Sequence, residues 1–596
     1  MTALALAALV WVALPDSTAP CPGGAVVTRA ELEAAGAMHL HDALRLAGVL
    51  DAVSVDGFDA EPLGATLPFA ESVRVLVDGA PAARGAGPET PGLEALPVAL
   101  GEVARVVACP GAGLAAGALG GPWVDVQTAP PGRAYAAGGY GNETGDPGPL
   151  RYVGQNVANV DRWGPYAEGG AGTAPAGDDG ARAAWGAVRY RTFLPTDQAI
   201  LQRTLAATAR YPKRVGTVGA GAARGRGWRA RGAGRAFTDI AFAAPLGREV
   251  PFDHRSVQAT VSGEGRAGGL GVGGHVHAAR LHLDTSSRDG LGFDPEWAET
   301  RLDAAASVRG RRLAAGVRVE HVAAEAPGLD DGTVSVGRVW TRAERGDPTA
   351  GAYVATALAV ADGLGGGVAA EAWHRGLLAL RLSGSARRTL PGERRDLDVW
   401  RARGYARFGD ALAEAAPLDV ARLRVEVSAR RGGGRAWAAV EGIGARGRPA
   451  LASGVADGIA EGAALAGRVG ASWAGRWTTA RAWAEARGAV AGTAAFFEAW
   501  RRVPRLRAVA DARFAPDGRL ALWARAEARG GATWAGFDQP DVPAALVLDL
   551  GVSKRAWGER LGLSLGGRNV LGAEERTHPL GATLAPRLFV RAEARL

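Results

Sequence analysis

With 596 residues and a formal charge of +8, the chain has room for several ordinary domains or for one very large barrel with a small companion. Its basic charge is nearly all arginine, Lys213 and Lys554 being the only lysines, and with 88 glycines this points to a GC-rich coding bias. The Arg-rich run Arg224–Arg229 therefore reads as alternating strand arginines, and nucleic acid is excluded as a partner. No apolar run reaches the roughly 20 residues of a membrane-spanning helix, so entry into a membrane requires a closed barrel of strands.

Residues 3–14 form an apolar core of signal-peptide length, and Ser17-Thr18-Ala19 supplies small residues for cleavage; residues 1–19 read as a leader that lacks the usual basic start. Cys21 and Cys109 are the two cysteines, candidates for one disulfide in an oxidising compartment. Thr28-Arg29-Ala30-Glu31 is a capping box that opens a helix through Ala35. A second helix begins at Asp42, with Leu40, Leu44 and Ala47 on one face and Gly48 as its C-cap. The polar stretches 56–68 and 81–91 read as loops.

Three strands follow. Val73–Val77 ends in an Asp78-Gly79 turn, Val103–Cys109 stops at Pro110-Gly111, and Trp123–Thr128 follows the turn Gly117-Ala118-Leu119-Gly120-Gly121. With the segments around Thr28 and Asp42, this order resembles the plug domain of TonB-dependent outer-membrane receptors: a strand ending V-D-G-x-P, a second strand, a glycine-proline turn, an A-x-G-G turn and a V-x-I-x-T strand. The resemblance implies a small N-terminal α+β plug, residues 20–132, inside a transmembrane antiparallel β-barrel of about 22 strands, residues 133–596. It also implies that the loops at the plug apex touch ligand, making Asp56, Phe58, Asp59, Arg84 and Glu89 candidate contacts.

Beyond Pro130-Pro131-Gly132 the chain turns to strand-length runs of period two. Arg422, Arg424, Glu426 and Ser428 alternate with Leu423, Val425, Val427 and Ala429. Leu506, Ala508, Ala510, Ala512 and Phe514 share one face, as do Leu520, Leu522, Ala524, Ala526 and Ala528 after the Pro516-Asp517-Gly518 turn. In a soluble sandwich the apolar face is the core; in an outer-membrane barrel it meets lipid and the charged face lines the lumen. The length of the run favours the barrel. Gly567–Gly572 and His578-Pro579 fit the family's approach to its last hairpin. The final strand, Arg587 to Leu596, alternates to the last residue and is expected to close the barrel against its first strand.

Gly111–Ala116 fits the G-x-G-x-x-[GA] dinucleotide fingerprint, but that motif needs a helix, and Gly117, Gly120, Gly121 and Pro122 break one. His275 and His277 share a strand face with His282 nearby, a pair short of a third metal ligand of known geometry. There is no P-loop, G-x-S-x-G or H-E-x-x-H, so the reading is no enzyme, no metal and no cofactor.

The resemblance implies a multi-pass protein of a Gram-negative-type outer membrane, partnered by lipid, lipopolysaccharide and the barrel-assembly machinery. Its function would be that of a receptor that binds a scarce extracellular solute, a ferric siderophore-like chelate first, cobalamin or oligosaccharides after, and passes it inward as the plug rearranges. Energy in that family comes from a TonB complex through an extended box ahead of the plug; no box-like segment is read between residues 20 and 26. The alternative is a non-transporting plugged barrel with a structural or adhesive role.

Overall fold

The computed structural model describes residues 24–53 (apart from 36, 38–39 and 41), 61–63, 73–82, 96, 98, 102–110, 114–115, 118–119, 122–129, 134–146, 160–172, 182–195 (apart from 193), 214–224, 228–243, 248–284, 297–325, 332–390 (apart from 348, 362 and 377), 417–447, 459–533 (apart from 517–518), 541–575 (apart from 558–559), 583–584 and 586–595. The leader, Cys21, His578 and the loop residues Asp56, Phe58, Asp59, Arg84 and Glu89 lie outside them.

The amino-terminal part folds around a five-stranded sheet in the order Ala25–Thr28, Val103–Cys109, Trp123–Thr128, Arg74–Val77, Ala80–Pro81. Asp78 and Gly79 both take left-handed backbone angles (φ 53° and 80°), the geometry of a tight two-residue hairpin, and Gly supplies it without a Cβ penalty. Arg74–Val77 and Trp123–Thr128 run parallel. A parallel pair needs a long crossover, and the chain between them contributes the neighbouring strand Val103–Cys109. The capping box forms as read: Thr28 N–H donates to Glu31 Oε2 at 2.7 Å, and Glu31 N–H donates to Thr28 Oγ1 at 3.3 Å. Leu32, Leu40, Leu44 and Ala47 pack with Val27, Val75, Val106, Val124 and Val126 in one core. Each buried Val or Leu contributes about 1.5–3 kcal/mol.

Two departures from the sequence reading appear here. The stretch read as loop at 56–68 holds the strand Glu61–Leu63, paired with Asp51–Val53, a hairpin too short for periodicity to register. Leu114–Ala115 and Ala118–Leu119 also pair antiparallel, so short strands stand in the dinucleotide-like segment where a nucleotide site would need a helix.

The remainder closes into an antiparallel barrel. Of its segments, Leu194–Pro195 continues Arg182–Thr192 along the same neighbour, and Thr583–Leu584 continues into Arg587–Arg595. Counting these as continuations leaves 22 strands among the described residues. The last strand pairs with the first, from Tyr135 opposite Arg595 to Gly141 opposite Phe589, so no edge is left open. Alternation sorts the side chains as expected: Leu423 (57% exposed), Val440 (60%) and Leu506 (62%) face outward, while Arg422, Arg525 and Glu527 are buried on the inward face. A wall apolar outside and charged inside is that of a lipid-facing barrel. No described helix is long and apolar enough to cross a membrane.

One barrel feature escaped the sequence reading. Ala494–Arg501, inside a run read as continuous hairpins, is a helix at the rim opposite to Tyr135, with Thr493 as N-cap accepting from Phe496 N–H at 3.3 Å. Phe496, Trp500 and Val503 pack on Leu418, Val420, Ile443 and Ala445. The signal was a capping threonine ahead of apolar residues at helical spacing, hidden by the period-two runs on both sides.

Candidate functional site: the plug–barrel interface

Strand alternation aims long charged side chains from the barrel wall into the lumen, and the small sheet sits where they converge. The helix Asp42–Ala47 is gripped at both ends. At its C-terminus the last carbonyls have no partner within the helix. Three wall arginines satisfy them: Arg525 donates to the Arg45 carbonyl, Arg481 to that of Leu46 and Arg468 to that of Gly48. Cations at this end also complement the helix dipole. Arg468 lies 3.8 Å from the ring centre of Trp483, adding a cation–π contact.

Gly48 closes the helix at φ 65°, and a Cβ there would come within 2.7 Å of Trp483 Cζ2. Any side chain would meet both left-handed strain and that ring. On the helix itself, Asp42 receives both guanidinium nitrogens of Arg568, one at 2.7 Å, as a buried bidentate pair. Arg45 reaches Asp549 at 3.3 Å and Glu575 at 3.9 Å. Burial works against its charge, but Asp549, Glu575, Glu527 and Asp42 together outweigh that and raise its pKa.

The sheet is held from other directions. Arg231 pairs with Glu102 at 2.6 Å, both buried, and Arg229 pairs with Asp78 at 3.4 Å and donates to the Thr128 carbonyl at 2.6 Å. Arg74 reaches Glu320 at 3.7 Å, and Arg422 donates to the Pro110 carbonyl at 2.7 Å. Several of these contacts end on main-chain carbonyls, which every residue type carries.

Asp125 completes the Asp78-Gly79 turn by accepting from Gly79 N–H at 3.0 Å and from Gln127 Nε2 at 2.8 Å. Burial pushes its carboxyl up to about 6, against the pull of those two hydrogen bonds, and neighbouring Asp78 adds to the rise. A folded pKa above the unfolded one means the folded sheet holds the proton more tightly, so stability falls as pH rises from about 4 through 6. The expected loss between pH 4.5 and 7.5 is about 2 kcal/mol. Urea unfolding of the sheet domain at pH 4.5 and 7.5 should show it, and Asp125→Asn should flatten the slope. A slope unchanged in that variant would refute the assignment.

Among the described residues no three His, Cys, Asp or Glu side chains group as a metal site. His275 and His277 do face inward together, while His282 falls on the opposite strand parity. Cys109 is disulfide-bonded. The sequence placed Arg422 and Arg525 in the lumen but could not name their partners. Arg468, Arg481 and Arg568 were missed because their partners lie more than 400 residues away in the chain. In the sequence Asn569 reads only as part of a turn. It adopts φ 50° and donates to the Ala573 carbonyl at 2.6 Å, which fixes the strand end that carries Arg568.

No family model matches the chain, and no curated protein matches it by sequence. Solved structures do match in fold. The FrpB iron transporter of Neisseria meningitidis aligns over 96% of this chain and 99% of its own at 10% identity (TM-score 0.68). The ferric enterobactin receptor PfeA of Pseudomonas aeruginosa aligns over 96% and 98% at 10% identity (TM-score 0.66). The siderophore receptor PirA of Acinetobacter baumannii aligns over 96% and 98% at 9% identity (TM-score 0.62). With its sheet domain pinned inside a closed barrel of 22 described strands, the chain has the plug-and-barrel fold of the TonB-dependent outer-membrane receptors.

Proposed function

We propose that the protein is an outer-membrane receptor that binds a scarce extracellular solute and passes it inward when the plug is rearranged. The observation that carries this is a separately folded domain filling a wide barrel, tied to its wall by polar contacts. Such contacts can be exchanged for water, unlike an apolar core shared between the two. The division into a plug at 20–132 and a barrel at 133–596 belongs to the same proposal. So does a disulfide between Cys109 and Cys21, the chain's one other cysteine.

An iron chelate is the first solute class. Its support is the fold shared with three structures named for iron or siderophores. The lumen arginines add little, because those described pair with neighbours: Arg301 with Glu299 and Glu320, Arg338 with Glu320, Arg525 with Asp511. Asp56, Phe58, Asp59, Arg84 and Glu89 are the proposed solute contacts on the plug loops.

Growth of a deletion strain under iron starvation, with and without a panel of ferric chelates, tests the reading. One or more chelates should fail to rescue the deletion while rescuing the parent. Equal rescue across the panel would remove iron chelates as the cargo.

A further inference from the structure

We infer that the plug and the barrel part along one stretch of wall, the strands Arg248–Ala267 and Leu270–Asp284, and that solute passes over Gln258, Thr260, His275 and His277. The inference rests on the receptor reading and adds a route to it.

The observation is a group of buried polar atoms without partners. Gln258, His275 and His277 are each at least nine-tenths buried on the inward face. Among the described residues neither amide atom of Gln258 has a hydrogen-bond partner, and His275 Nδ1 and His277 Nε2 also have none. The three side chains are neighbours by register. Thr260 lies opposite His277 and Ser262 opposite His275, with Gln258 one inward position further along.

The other ring nitrogens are held. His275 Nε2 sits 2.5 Å from Asp303 Oδ2, and a carboxylate only accepts, so Nε2 carries the proton; in the neutral ring Nδ1 is then an exposed lone pair once the wall is uncovered. His277 Nδ1 is 2.7 Å from Thr260 Oγ1. The rings are thus oriented and one nitrogen on each is left over.

A buried polar atom without a partner penalises the closed state, and the penalty disappears when water or a solute group reaches it. On either side of the strip the plug is fastened to the wall. Arg231–Glu102 ties the plug to the strand Trp228–Ala243 on one side, and Arg74–Glu320 ties it to Leu313–Glu325 on the other. Those two strands are four spacings apart, about 19 Å along the wall, wide enough for a small chelate or sugar. Between them the wall charges satisfy one another, Arg318 holding Asp303 at 2.6 Å and Arg301 holding Glu299 at 2.9 Å. What this strip offers a passing molecule is a neutral amide, a hydroxyl and two imidazole nitrogens. These suit a solute rich in hydroxyl or amide groups.

The test needs no solute. None of the described cysteines is free, so a single introduced thiol serves as reporter. In detergent, the reporter Ser262→Cys leaves Gln258, His275 and His277 in place and should react with a maleimide, since the strip opens at its orphaned polar atoms. In a Ser262→Cys reporter, adding Gln258→Leu should slow labelling, because an apolar side chain of similar shape carries no orphaned atoms. An unchanged or faster rate with Gln258→Leu would overturn the route. Because labelling is read without transport, loss of the iron reading would leave this result interpretable, and failure here would leave the receptor reading standing.

Discussion

Asp42→Ala should destabilise the docked plug by about 3–5 kcal/mol, the largest single effect expected in the molecule. The pair it breaks is buried: Asp42 and Arg568 are 2% and 8% exposed, joined by two hydrogen bonds. Removing the aspartate leaves a guanidinium inside the barrel facing Arg45, another cation, with Asp549, Glu575 and Glu527 left to balance both. Replacing both partners should cost far less, because an apolar pair strands no charge. Asp42→Leu/Arg568→Leu is therefore predicted to recover most of the loss. Limited proteolysis of the plug in detergent, with barrel strand content followed by circular dichroism, separates release of the plug from collapse of the barrel. A single variant as protease-resistant as the parent would show that the pair contributes nothing to docking.

The second large effect belongs to the outer face. Val440 stands at the middle of the strand Gly434–Gly447, opposite Val425 and next to Gly467, and is 60% exposed. If lipid covers that face, Val440→Arg places a guanidinium near the bilayer midplane at about 2–4 kcal/mol. Folding yield into phospholipid vesicles should drop accordingly. In thick detergent micelles, where an arginine can reach water, the loss should be smaller. Arginine at the adjacent inward position, Glu441→Arg, would test the contrast; it removes the partner of Arg422 and Arg424 but exposes no charge to lipid. A Val440→Arg protein that inserts like the parent would remove the lipid-facing assignment.

The two experiments probe different layers of one arrangement. The outer band holds the barrel in its solvent, and the inner charges hold the plug in the barrel. Both follow from the same period of two along each strand. A one-residue slip of any wall strand would turn its arginines to the lipid, so register is specified by both faces at once.

Much of this was legible in the chain itself. The capping box at Thr28, the glycine at 48, the Asp78-Gly79 turn and the alternation at 422–429 are local rules, each written in fewer than ten residues, and all take the form they dictate. Closure by the last strand was also readable, because alternation runs through Arg587–Arg595 without a break. Local grammar could mislead where a short signal sat inside a longer one, as at the helix Ala494–Arg501 and the hairpin Glu61–Leu63.

Local patterning dictates which residues alternate, where strands stop and which face each arginine takes, since these depend on neighbours two to five positions away. Tertiary structure alone decided what those arginines hold. The carbonyls of Arg45, Leu46 and Gly48 are acceptors that every residue possesses, so no pattern in the chain could mark them as targets of Arg525, Arg481 and Arg468. Only closing the barrel around the plug brings donor and acceptor together across more than 400 residues.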